Sequence, residues 1–93
     1  MRIIGEIEHP SMKISVFKVS DRLSVKFEKM LLEQIFKFRD GSGIDTLENA
    51  KQLVSPTVLD EVEAQFDIMA RIRRKGLEAI MSANDDEDFP VIM

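Results

Sequence analysis

Residues 23–39, LSVKFEKMLLEQIFKFR, carry the clearest secondary-structure signal in the chain. Apolar and polar residues alternate over Leu23–Glu28, which is typical of a strand with one buried side. A second run rich in apolar and aromatic residues follows at Leu31–Arg39 after a short break. These two segments predict consecutive strands of an antiparallel hairpin.

The register of this hairpin is predicted from the pairs that it would bring together. A tight connection at Lys29-Met30 sets Phe27 opposite Leu32 and Lys26 opposite Glu33. A slip of one residue would set Phe27 against Glu33, so the apolar pattern favours the first register. A four-residue loop with the same pairing fits the sequence equally well.

Two more strands are predicted upstream. A short apolar run that includes Ile3, Ile4 and Ile7 ends at His9-Pro10. The next strand, Met12–Val19, has apolar residues on both faces, as expected of a central strand or of one partly covered on its second face. Together with the hairpin, these segments predict an antiparallel meander of about four strands.

The hydrophobic period changes to that of a helix after the meander. Asp45 and Glu48 predict the start of a short helix that ends near Val54. Ser55 is a good N-cap, and a proline at the first helical position begins a long helix over Pro56–Ser82. The prediction is therefore an α+β fold in which a short helix and a long C-terminal helix pack on one sheet face.

The predicted core joins the hairpin to the long helix. It comprises Leu23, Val25, Phe27, Phe36 and Phe38 on the strands and Val58, Val62, Phe66 and Met69 on the helix. The helix would be about 40 Å long, whereas a compact domain of this size is roughly 30 Å across. We therefore expect the helix to break near Gly76, to project from the domain, or to be covered by another chain.

The charge is unevenly distributed. The chain of 93 residues has 13 basic and 17 acidic side chains and a net charge of −4. Because the run Asp85–Asp88 contains the whole excess of acids, the preceding chain is neutral. A neutral body argues against general nucleic-acid binding. We interpret residues 1–82 as a single α+β domain and residues 83–93 as an acidic, flexible C-terminal tail.

Composition excludes several classes of function. The chain has no cysteine and one histidine, His9, which leaves no pair for a thiolate or imidazole metal site or for nucleophilic catalysis. Glu28 and Glu33 come nearest to paired carboxylates, but Lys26 is predicted to lie across from Glu33. We expect no membrane-spanning segment and no signal peptide, because the sequence has no long apolar run and its first residues lack a signal peptide's apolar stretch. We expect a cytoplasmic protein that is not an enzyme and has no cofactor and no metal.

Three features are candidate contacts for a partner. Arg71, Arg73, Arg74 and Lys75 form a basic cluster, which reads as a solvated helix face or as a patch for an acidic partner, including the acidic tail of a neighbouring chain. Gly76 lies in the apolar stripe, where a small residue lets another backbone approach. The apolar end of the tail either folds back on its own sheet or anchors the chain to a partner through Phe89, Val91 and Ile92.

Parts of the sequence resemble a group of short bacterial proteins of unknown function. The resemblance lies in the opening MRIIGEI with its following His9-Pro10, in MKISVFK at residues 12–18 and in LEQIFK at residues 32–37. It implies a small cytoplasmic bacterial protein, and it implies no activity, cofactor or catalytic residue.

The sequence therefore points to a non-catalytic interaction protein that forms a homodimer through its long helix or an open sheet edge, or that binds another protein. One alternative is a small-ligand module with a pocket between sheet and helix, where Gln34 and Lys18 supply polar contacts. A second alternative is a nucleic-acid-associated regulator that uses Arg71–Lys75. No aromatic platform accompanies that cluster, which argues against nucleic acid as the partner.

Overall fold

The computed structural model describes the backbone of residues 2–87 and the side chains of residues 2–83. Four antiparallel strands lie in sequential order in one sheet, and two helices follow. Both helices pack on the same sheet face, so the predicted α+β fold is confirmed. The elements are β1 (Arg2–Ile7), β2 (Lys13–Val19), β3 (Arg22–Lys29), β4 (Leu32–Arg39), α1 (Leu47–Leu53) and α2 (Pro56–Glu87).

The pairing of β1 with β2 contains a β-bulge that brings the first strand against α1. The register shifts between Ile3 and Gly5, so that Ile4 is the extra residue. A Cβ atom at Gly5 would lie 2.6 Å from a methyl carbon of Leu47. The Leu47 side chain packs directly on the strand backbone at Gly5, so a larger residue at this position would force that side chain to shift.

The hairpin of β3 and β4 has a different register from the predicted one. Phe27 pairs with Gln34 rather than with Leu32, a shift of two residues. The turn residues are Met30 and Leu31, whose φ angles are 54° and 63°. The sequence could not exclude this register, because a shift of two residues leaves every side chain on its original face. Two left-handed turn residues match the twist of the strands, which favours the observed pairing.

The predicted ion pair between Lys26 and Glu33 is therefore wrong. Lys26 pairs with Ile35 across the strands, and its Nζ lies 3.2 Å from a carboxylate oxygen of Glu28 on its own strand. Glu33 lies directly opposite Glu28 in the ladder.

The core lies between the sheet and the two helices. Its buried apolar residues are Met12, Ile14, Val16, Leu23, Val25, Phe27, Ala50, Val54, Val62 and Phe66. Phe36 was predicted in the core, but its side chain is 41% exposed. It lies on β4, the edge strand, where one side of its ring meets Phe27 at a centroid distance of 5.8 Å and the other lines an open groove. Phe38, Val58 and Met69 are half-buried around this core.

Both helices begin with a capping residue. The N-cap of α1 is Thr46 rather than the predicted Asp45, because Thr46 and Asn49 form a reciprocal capping box. Ser55 is confirmed as the cap of α2, since its hydroxyl accepts the backbone N–H of Val58 at 3.3 Å.

The long helix projects from the domain. α2 continues without a break through Gly76 to Glu87, which confirms one of the three predicted outcomes and excludes a break at Gly76. The principal extents of the molecule are 55 × 28 × 20 Å. The predicted tail falls partly in α2 and partly outside the described residues. Within residues 2–87, no helix is both long and apolar enough to cross a membrane.

Candidate interaction surface

The distal half of α2 carries exposed apolar side chains. Every side chain from Arg71 to Ala83 is exposed to solvent. The large apolar members are Ile72 at 61%, Leu77 at 43%, Ile80 at 46% and Met81 at 64% exposed. We call Ile72, Gly76, Leu77, Ile80 and Met81 the distal stripe.

Most of the distal stripe continues the side of α2 that packs on the sheet, whereas Ile72 lies about 120° from Phe66 around the helix axis. At about 100° per residue, Leu77 and Ile80 lie within about 40° of Phe66 around the helix axis. Phe66 is fully buried in the core. The sheet ends while this side of the helix stays apolar, so the part of the chain that the structure describes leaves the stripe uncovered. Arg71, Lys75 and Glu78 occupy the opposite side, which makes the projecting half amphipathic.

The structure divides the predicted basic cluster. Arg73 donates from Nη1 to the carbonyl oxygen of Met30 at 2.7 Å, so it joins α2 to the hairpin turn. Arg74 Nε lies 3.7 Å from a carboxylate oxygen of Glu78, one turn further along the helix. Arg71 and Lys75 are exposed on the polar side. The four residues therefore do not form one continuous basic patch.

The hairpin turn presents two apolar side chains beside the N-terminal end of the distal stripe. Met30 is 48% and Leu31 is 100% exposed. Left-handed backbone costs a residue other than glycine about 1–2 kcal/mol, and turns of this kind favour Asn-Gly. Strained apolar residues at an exposed tip suggest a role in binding rather than in turn stability.

Gly76 lies in the middle of the distal stripe. It is exposed, and a Cβ atom built on it would meet nothing within 4 Å. Only backbone atoms form the surface at Gly76, and the space beside them is open. There is room for another backbone at this point, and its approach stays a prediction.

A polar junction joins α2 to the sheet and to the β1–β2 connection. Glu63 accepts a hydrogen bond from Lys29 Nζ at 2.7 Å and another from the hydroxyl of Ser11. The Lys29 ammonium, followed by the Ser11 hydroxyl, lowers the pKa of the Glu63 carboxyl below its ordinary value. This junction could not be predicted from the sequence because its members are far apart in the chain.

His9 supports the polar junction rather than forming a site of its own. Its Nδ1 accepts the backbone N–H of Ser11 at 3.1 Å. The side chain is half-buried in the β1–β2 connection. This contact orients the turn that carries Ser11 toward Glu63.

The two polar residues of the predicted ligand pocket lie apart. Gln34 donates to the backbone carbonyl of Val62 at 3.0 Å, and Lys18 pairs with Asp40 at 3.3 Å. The register separates them by the length of four ladder positions. A groove of about 420 Å³ does open between β4 and α2, lined in part by Gln34, Phe36 and Val62.

Glu28 and Glu33, the candidate paired carboxylates, are brought opposite each other on the sheet. Lys26 compensates Glu28, and the pair faces away from the helices. Among the described side chains, no three histidine, cysteine or acidic residues come close enough to hold a metal ion.

The predicted anchor residues Phe89, Val91 and Ile92 lie outside the described residues. Comparisons of the chain with protein-family models, curated proteins and solved structures found no match.

Proposed function

We propose that this chain is a non-catalytic cytoplasmic interaction protein that forms a homodimer through the distal half of α2. The observation that carries this proposal is the distal stripe, which remains apolar beyond the sheet. Contiguous exposed apolar surface on a small protein marks an interaction site. A two-fold dimer covers identical stripes at once, because the same patch serves both copies.

The helices of the dimer run antiparallel and cross near Gly76. This crossing sets Ile72 of one copy opposite Ile80 of the other, and the missing side chain at Gly76 allows close approach. A parallel pair would set the guanidinium of Arg73, which lies within about 20° of Phe66 around the helix axis, beside its own copy. The antiparallel pair separates these like charges, which favours it electrostatically.

The hairpin turn takes part in the same contact. Arg73 holds the carbonyl oxygen of Met30, so the turn lies beside the stripe. In the antiparallel pair, the last turns of the partner helix pass close to Arg73. Met30 and Leu31 can then pack against them, which explains why apolar residues occupy a strained turn.

Analytical ultracentrifugation of Ile80→Asp tests this proposal. The wild-type chain is expected to sediment as a dimer, and Ile80→Asp as a monomer, because a buried unpaired carboxylate strongly disfavours association. Ser82→Asp is the matched control. It adds the same charge about 160° around the axis from Phe66, on the polar side, and should leave the dimer intact.

A wild-type chain that remains monomeric at high micromolar concentration contradicts the homodimer. A dimer that survives Ile80→Asp and Leu77→Asp together contradicts the placement of its interface. Circular dichroism of each variant checks that α2 still forms, so that loss of association is not loss of the helix.

A small-ligand module is the second candidate, and it rests on the groove between β4 and α2. Phe36 is exposed there, and Gln65 and Glu61 supply polar groups at its rim. The test is a fragment screen by NMR on the wild-type chain and on Phe36→Ala. Fragments that bind the wild type and lose binding in Phe36→Ala support this function, and an absence of hits removes it.

A further inference from the structure

The sheet face that points away from the helices has an apolar area of its own. We call it the outer face. Ile3, Val19 and Ile35 are 65%, 41% and 42% exposed there, and Phe17 is half-buried among them. A hollow of about 430 Å³ opens in this face, with Phe17, Val19 and Ile35 in its lining. No described element covers it, because α1 and α2 both pack on the other side of the sheet.

Two basic side chains line the hollow, Arg22 and Lys37. Lys26 lies on the same face but is paired with Glu28 at 3.2 Å. Arg22 is also directly opposite Arg39 in the ladder. Like charges directly opposite each other destabilise a sheet, so this pair suggests an anionic partner.

Few carboxylates offset these cations. Asp21 lines the same hollow, and Asp40 pairs with Lys18. The acidic pair of the outer face, Glu28 and Glu33, lies at the other end of the strands. The end of the outer face that contains the hollow is therefore both apolar and positively charged.

We propose that this hollow binds the C-terminal segment Asp85–Met93 of a second copy of the chain. The segment has four acidic residues, Asp85–Asp88, followed by Phe89-Pro90-Val91-Ile92-Met93. Its acidic half matches Arg22, Lys37 and Arg39, and its apolar half matches the hollow. No other stretch of the chain combines the two properties in this way.

The length of the chain makes this contact intermolecular. α2 rises about 21 Å from Arg73, beside the hairpin turn, to Glu87, at about 1.5 Å per residue. Residues 88–93 span about 20 Å when fully extended at about 3.4 Å per residue. Residues 88–93 are therefore only long enough to lead back from the end of α2 to the hairpin turn. The hollow lies at the opposite end of β3 and β4, beyond the reach of the chain's own segment.

The test measures binding of a fluorescent peptide with the sequence of residues 84–93 to the full chain by anisotropy. The chain is kept dilute so that its own segments leave the hollow open. We expect Arg22→Glu with Lys37→Glu to weaken binding by about tenfold or more, because two attractive charge contacts become repulsive. Arg71→Glu with Lys75→Glu, the same change of charge on α2, should leave the affinity unchanged.

Changes in the peptide test the two halves of the contact without touching the fold. A peptide with Phe89→Ser should bind more weakly at every salt concentration. The wild-type peptide should weaken as salt rises from about 0.05 M to about 0.5 M, because the ion atmosphere screens its carboxylates. A peptide with Asp85, Asp86 and Asp88 changed to lysine should bind the Arg22→Glu, Lys37→Glu chain better than the wild-type chain. This reversal cannot result from unfolding.

The inference is independent of the dimer through α2, and repeating the assay on Ile80→Asp separates the two. Binding to this monomer with the expected dependence on Arg22 and Lys37 supports the outer-face site whatever the state of α2. The proposal is overturned if the peptide does not bind, or if Arg71→Glu with Lys75→Glu abolishes binding. It is also overturned if the outer face binds single-stranded DNA and not the peptide.

Discussion

Phe66 is the residue on which the attachment of α2 depends most. Its ring is fully buried among the core side chains of the sheet and helices. Phe66→Ala should lower the free energy of unfolding by about 3–5 kcal/mol, because it removes a buried ring and leaves a cavity. Urea denaturation measures this loss. Ile72→Ala, on the exposed part of the same helix, should change it by less than about 0.5 kcal/mol in a monomeric background.

Glu63 makes the stability of the fold depend on pH. Its pKa in the folded chain is lowered by Lys29 and Ser11, so ionisation of this carboxyl stabilises the fold. The stabilisation is complete above the unfolded pKa near 4.3 and is lost as the pH falls through the lower folded value. About a third of the side chain is exposed, so water screens the contact.

The measurement is urea denaturation of the wild type and Glu63→Gln between neutral and acid pH. The wild type should be the more stable at pH 7, and the difference should shrink once the carboxyl is protonated. A difference that persists unchanged into acid would contradict the role of the ionised carboxyl. Glu61→Gln, an exposed neighbour on α2, serves as the control.

At the scale of elements, the hairpin shows how a turn sets a register that the strands leave open. The pattern of β3 and β4 allows any even shift, and the turn at Met30-Leu31 selects one of them. Leu31→Gly should raise the free energy of unfolding by about 1 kcal/mol, because it relieves the left-handed strain at φ 63°. Thermal and urea denaturation measure this change in the Ile80→Asp background, where association does not contribute.

Leu31→Gly should weaken association, although it should stabilise the monomer. Removing the fully exposed Leu31 side chain takes apolar contact from the proposed dimer, so Leu31→Gly should weaken the dimer in sedimentation. If Leu31→Gly lowers the stability of the monomer, the explanation by backbone strain at the turn is wrong. If Leu31→Gly leaves the dimer unchanged, the proposed contact between the hairpin turn and the partner helix is wrong.

At the scale of the whole molecule, the continuous α2 gives an elongated shape. A compact chain of this length would have a radius of gyration of about 12 Å, whereas the Cα radius of gyration is 17.7 Å. Small-angle X-ray scattering of the Ile80→Asp monomer should give the larger value. A value near that of a compact chain would mean that the distal half of α2 packs back on the domain.

The local features of the fold could be predicted from the sequence because they depend on neighbours in the chain. Alternation along Leu23–Glu28 and the Ser55-Pro56 start of α2 each specify an element within a few residues. Of the candidate surface, the start of α2 and the apolar position of Ile80 were also predictable, whereas the end of the helix was predicted at Ser82 and lies at Glu87. The first two follow from the local sequence alone.

The remaining features depend on how separate elements meet in space. The polar junction joins Ser11, Lys29 and Glu63 from three parts of the chain, and Arg73 joins α2 to a turn far upstream. The positive end of the outer face arises when Arg22 and Arg39 are brought together by the ladder. Sequence periodicity specifies on which side of its own helix or strand a residue lies. Strand register and helix direction specify which residues of other elements it contacts.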